Sequence, residues 1–87
     1  MGVTVKFYDS VKKHTNCDSI CFEQIESLHQ LIAQMGGHFG EAFVIYLMAD
    51  ETCFMLINGK SIMATGGLKS PLKDGDMVEI LPVVGAG

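Results

Sequence analysis

Alternating apolar and polar residues open and close this chain, and that arrangement constrains its fold more than any other feature. Val3, Val5 and Phe7 alternate with Thr4, Lys6 and Tyr8, a period of two that predicts a strand with one apolar face. Met77, Val78, Glu79, Ile80 and Leu81 predict another strand near the end. Between them the period changes. Leu28, Leu31, Ile32 and Met35 recur at helical spacing after Ser27, one stripe facing a core. Ser27 and Gln30 fit a capping box, in which the two side chains satisfy orphan N–H groups at the helix start. Strands at both ends around central helices point to an α+β fold. The expected form is a mixed sheet with one main helix and a second short helix packed on one face. The first and last strands can then lie parallel at its centre.

The remaining elements follow from local chemistry. Asp9 to Asn16 is polar and reads as a loop. Ser19 to Glu23 reads as a strand, close enough to pair antiparallel with the first. Gly36-Gly37 is expected to stop the main helix, and His29 lies off its apolar stripe. Gly40 to Asp50 mixes helical spacing (Phe39, Phe43, Tyr46, Leu47) with the strand-prone Val44-Ile45-Tyr46, and a short helix is the preferred reading. Its apolar excess leaves two options, a deeper core or a face exposed for a partner. Phe54 to Ile57 predicts a strand, Asn58-Gly59 a two-residue hairpin turn, and Lys60 to Met63 the returning strand. Ala64 to Ser70 reads as loop, Pro71-Leu72 as the start of a tight turn, and Lys73-Asp74-Gly75-Asp76 as a further turn.

The chain has 87 residues and a formal net charge of −4 with six Lys and Arg. One domain and one core are expected at that length. Nucleic acid is excluded as a partner for want of a basic footprint, and the acidic balance suits a basic protein partner. The longest apolar run, Ala42 to Ala49, is too short to span a bilayer, and no signal peptide is evident at the start. Three cysteines, Cys17, Cys21 and Cys53, are an odd set best explained by reduced thiols in a cytoplasm. Cys17 and Cys21 are expected to share one strand face as small hydrophobes. Without a CxxC pair, no metal site is expected from His14 and the cysteines.

The body carries no catalytic set. There is no GxSxG elbow and no phosphate-cradling GxxxxGK[ST] loop. What stands out is the end, Leu81-Pro82-Val83-Val84-Gly85-Ala86-Gly87. Pro82 has no N–H to give a central ladder, and Gly-Ala-Gly cannot pack on the domain. Such an end is either a frayed terminus or a probe for another protein's narrow slot, with the Gly87 carboxylate open to activation. Residues 1–82 are read as the domain and 83–87 as a flexible tail. A small acidic domain with no catalytic groups and an accessible terminal carboxylate reads as a carrier or a modifier.

Asn58-Gly59-Lys60, then Pro71-Leu72-Lys73-Asp74-Gly75-Asp76, then Val78 to Leu81 running into the tail, resemble the MoaD/ThiS family of ubiquitin-like sulfur carriers. The opening strand and the helix from Ser27 fall where that family has them, so the likeness covers nearly the whole chain. The Leu81-Pro82 exit is nearer to MoaD, the small subunit of molybdopterin synthase. The resemblance implies a β-grasp fold and no bound cofactor. It implies that the Gly87 carboxylate is adenylated by an ATP-consuming activating enzyme and converted to a thiocarboxylate. It implies a tail, Pro82, Val83, Val84, Gly85 and Ala86, that enters a MoaE-like large subunit and donates sulfur to a pterin precursor. Phe54 and Ile62 are expected to flank that tail as partner-binding apolar residues. The family ends in Gly-Gly; here Ala86 stands in the penultimate place and adds a methyl group. Two alternatives stay open: a binding module or protein modifier with an unthiolated tail, and a ThiS-like or cysteine-forming carrier.

Overall fold

The structure, a computed structural model, describes residues 2–49 and 52–83. Five strands form one sheet in the order β2-β1-β5-β3-β4: β1 Val3–Phe7, β2 Ser19–Phe22, β3 Cys53–Ile57, β4 Lys60–Ser61 and β5 Met77–Pro82. The first and last strands do meet in parallel at the centre, Val5 opposite Val78 and Phe7 opposite Ile80. β2 pairs antiparallel with β1, and β3 antiparallel with β5. Helices α2 (Leu28–Phe39) and α3 (Glu41–Met48) cover one face, and two single-turn helices, α1 (Lys12–Thr15) and α4 (Ile62–Thr65), sit in connections. This is the α+β, ubiquitin-like architecture expected.

The core forms where the two periodicities meet. Val3, Val5, Phe7, Val78 and Ile80 from the sheet are buried together with Leu28, Leu31, Ile32 and Met35 from α2. The capping box at Ser27 is made, with one shift. Ser27 Oγ accepts from the Gln30 N–H at 3.2 Å, while Gln30 Oε1 accepts from the N–H of Glu26 at 2.7 Å, one residue before the cap.

Several local expectations are corrected. α2 does not stop at Gly36-Gly37 but runs on to Phe39, and Gly40 ends it with φ of 103°. The extra turn places Phe39 edge-on to Phe7 and Phe43, at 5.6 and 5.4 Å between centroids. Gly36 is needed for another reason: a Cβ there would lie 2.8 Å from Val44 Cγ2, so the glycine lets α3 approach α2. The stretch from Asp9 is not loop but a 3-10 turn, Asp9–Val11, leading into α1, because Val11 is fully buried and anchors it. Cys17 and Cys21 do not share a strand face. Pairing of β2 with β1 begins at Ser19, which leaves half-buried Cys17 in the preceding turn and Cys21 exposed.

The hairpin at Asn58-Gly59 forms with φ of 50° and 86°, the left-handed pair that a two-residue turn of this kind requires. Its returning strand is shorter than expected. β4 ends at Ser61, whose Oγ accepts the Met63 N–H at 3.1 Å and so caps α4. The expected loop after it contains α4 and a 3-10 turn, Gly67–Lys69. Pro71 and Leu72 run extended beside the start of α2, with Ser27 bridging Pro71 and the Leu72 N–H on the Glu26 carbonyl. Pro82 is the last paired residue of β5, opposite Cys53. Val83 donates to Thr52 and Asn58 to Met77, so Pro82 lies at a position where the backbone N faces away from β3. On that other side β1 has already ended, and no rung is lost.

Candidate functional site

The chain leaves the body where β5 ends beside the start of β3. Pro82 and Val83 are half-buried there, with the Val83 N–H on the Thr52 carbonyl at 3.2 Å. Val84, Gly85, Ala86 and Gly87 lie outside the described residues. Backbone pairing thus holds the chain as far as Val83.

Beside this root an apolar groove of about 380 Å³ opens between α3, β3 and α4. Leu47, Met48, Cys53, Phe54, Ile62 and Met63 are among its walls, and none of the described wall residues is charged. The sequence placed Phe54 and Ile62 together, and both line this groove. They differ in burial: Phe54 is 56% exposed, while Ile62 is half-buried and packed against the core. The apolar run of α3 is divided in the same way, with Phe43 and Leu47 buried, and Ile45 and Met48 exposed. Met63, 87% exposed, was not singled out from the sequence. An isolated Met carries no periodic signal until the helix that presents it is known.

Leu81 is paired with Phe54, and paired residues project to the same face of a sheet. That face carries polar groups further along, where the Tyr8 hydroxyl donates to Glu79 at 2.6 Å. The bond to Glu79, with burial and the carboxylate's charge, pushes the Tyr8 phenol up. Cys53 faces the groove with its Sγ 3.9 Å from the Leu47 carbonyl, and burial pushes its thiol up. A protonated thiol is a poor nucleophile. Among the described residues no group of three His, Cys, Asp or Glu side chains is placed to hold a metal ion. His14 stacks on Tyr46 at 4.0 Å, and His38 meets Phe39 edge-on.

A family model described as the ThiS family matches residues 5–87. The chain belongs to the ThiS family. Its members are ubiquitin-like sulfur carriers, and the match runs through the tail root to the last residue. Among solved structures, this ThiS-family protein is similar to Mycobacterium tuberculosis CysO, with 24% identity, a TM-score of 0.82 and coverage of 95% of this chain and 100% of that one. It is similar to a chain of the complex of subunits 1 and 2 of the molybdopterin-converting factor from Helicobacter pylori, with 28% identity, a TM-score of 0.69 and full coverage of both chains. It is also similar to small archaeal modifier protein 1 from Methanosarcina acetivorans, with 25% identity, a TM-score of 0.80 and coverage of 98% and 95%. No match to it was found among curated proteins. No described helix is long and apolar enough to cross a membrane.

Proposed function

We propose that this protein carries sulfur on its C-terminal glycine for molybdopterin synthesis. The family match that extends to Gly87 supports the reading. In it the Gly87 carboxylate attacks ATP within a separate activating enzyme, forming an acyl-adenylate and releasing pyrophosphate. A sulfur donor then displaces AMP and leaves a thiocarboxylate. Pro82 and Val83 fix the direction of the tail, and Val84, Gly85 and Ala86 thread the slot of a MoaE-like large subunit. Phe54 and Ile62 contact that subunit beside the slot. The likeness to the Helicobacter pylori converting factor, a complex of two subunits, favours this acceptor. No ATP, metal or other cofactor is held by the carrier, which works in the cytoplasm.

The test is intact mass after incubation with ATP, a sulfide source and a cognate activating enzyme. A gain equal to the difference between sulfur and oxygen, absent when Gly87 is deleted, is the expected result. An unchanged mass under these conditions would reject the carrier reading. A second reading, a protein modifier, is favoured by the likeness to the archaeal modifier protein. It predicts covalent conjugates through Gly87 to lysines of other proteins, which denaturing electrophoresis would reveal.

A further inference from the structure

Among the described residues the first part of β3 has no strand on its β4 side, and we infer that an uncharged extended segment of a partner protein fills the place. β4 pairs with β3 only at Leu56 and Ile57. The bonds from Val83 to Thr52 and from Asn58 to Met77 establish that even-numbered residues of β3 turn their backbone groups toward β5. Cys53, Met55 and Ile57 therefore turn theirs toward the β4 side. Ile57 has Lys60 opposite it. The rung that would join the Met55 N–H to the Ile62 carbonyl is not made. That carbonyl is turned into α4, where it accepts from the Gly66 N–H at 3.2 Å and the Thr65 hydroxyl at 3.3 Å. Among the described residues, the Met55 N–H and both backbone groups of Cys53 have no backbone partner on that side.

These groups border the apolar groove, whose opposite wall is Ser61, Ile62 and Met63. Its volume of about 380 Å³ falls in the range of sites that hold small ligands. Two or three extended residues span roughly 7–10 Å, the length of edge that β4 vacates. An open edge of this kind selects its occupant by chemistry: main-chain N–H and C=O groups supply the hydrogen bonds, and alternate side chains enter the groove. Because the described walls are apolar and uncharged, the entering side chains are apolar. The inference goes beyond the sulfur-carrier reading and does not invoke the tail's chemistry. It concerns a contact made by backbone along one edge of the body.

Amide hydrogen exchange of the full-length protein tests the free edge. Protection should alternate, with the Phe54 and Leu56 amides exchanging about ten-fold or more slowly than those of Cys53 and Met55. Equal protection along β3 would overturn the open edge. Titration with the uncharged peptide acetyl-Ser-Val-Ile-Val-Ser-amide, followed by amide chemical shifts, tests the occupant. Shifts should concentrate at Cys53 and Met55, with their exchange slowed on binding. N-methylation of the peptide's central Ile, or of the two flanking Val residues, should weaken binding at least ten-fold in one of the two patterns. Loss of affinity in neither, or shifts confined to the far edge of the sheet at β2, would overturn the proposal. So would the absence of any shift at millimolar peptide. The variant Phe54→Asp, which keeps the backbone edge, should retain the exchange alternation while losing the peptide.

Discussion

Asp76 is buried and ties two turns together. Its Oδ1 accepts from the Asn58 amide and the Lys73 ammonium, both at 2.9 Å, and its Oδ2 accepts the Lys73 N–H at 3.0 Å. Asn58 completes the link by accepting the Met77 N–H at 2.9 Å. Burial would push the Asp76 carboxyl up, but the bonds from Asn58 and Lys73 and the charge of Lys73 outweigh it and hold it below its ordinary value. A depressed folded pKa means stability that is present above the unfolded carboxylate range and is lost as pH falls through the folded value. Asp76→Ala should therefore cost about 1.5–3 kcal/mol at pH 7, and in urea titrations the gap between variant and parent should narrow as pH falls below about 4. The paired glycines of α2 give a second prediction. A Cβ at Gly37 meets nothing within 4 Å, so Gly37→Ala should stabilise by roughly 0.5–1 kcal/mol. Gly36→Ala should fall short of that gain or reverse it, because Val44 occupies the space. Thermal melts of the two single variants decide.

α2 carries the buried stripe, and Leu31 is fully enclosed. Leu31→Ala should lower unfolding free energy by about 2–5 kcal/mol, read from a denaturant titration. α4 and the start of β3 present the groove, where burial separates two substitutions. Phe54→Asp, at an exposed site, should leave the melting temperature nearly unchanged and weaken a complex with the large subunit. Ile62→Asp places a charge against the core and should destabilise the domain as well. The elements with strong periods or turn chemistry were legible in the sequence: β1, β5, the capped α2 and the Asn58-Gly59 hairpin. The short ones were not. α1 and α4 are single turns, too brief for periodicity, and each depends on one side chain, Val11 or the Ser61 cap. The end of α2 was misread because Gly36-Gly37 looks like a stop signal until α3 is seen packed against it.

For the molecule as a whole, the tail and the body should be separable. Deleting Gly87 should abolish sulfur loading in the mass assay while leaving the melting temperature unchanged, since a terminal residue contributes little packing. Ala86→Gly should retain loading, and a faster rate would identify the Ala86 methyl as an obstruction in the partner's slot. The linear chain carried the class of fold, the core residues and the family likeness, because periodicity, capping and turn residues act over a few positions and are written locally. It also carried the candidate tail, since the loss of side chains after Val84 needs no partner to be noticed. Folding supplied what depends on residues far apart in sequence. The register of β1 against β5, the clip between Asn58 and Asp76, and the orientation that lets Pro82 close β5 all join distant segments. The groove beside β3 exists because the Ile62 carbonyl turns into α4 rather than toward Met55, a choice between two hydrogen bonds that no local pattern records.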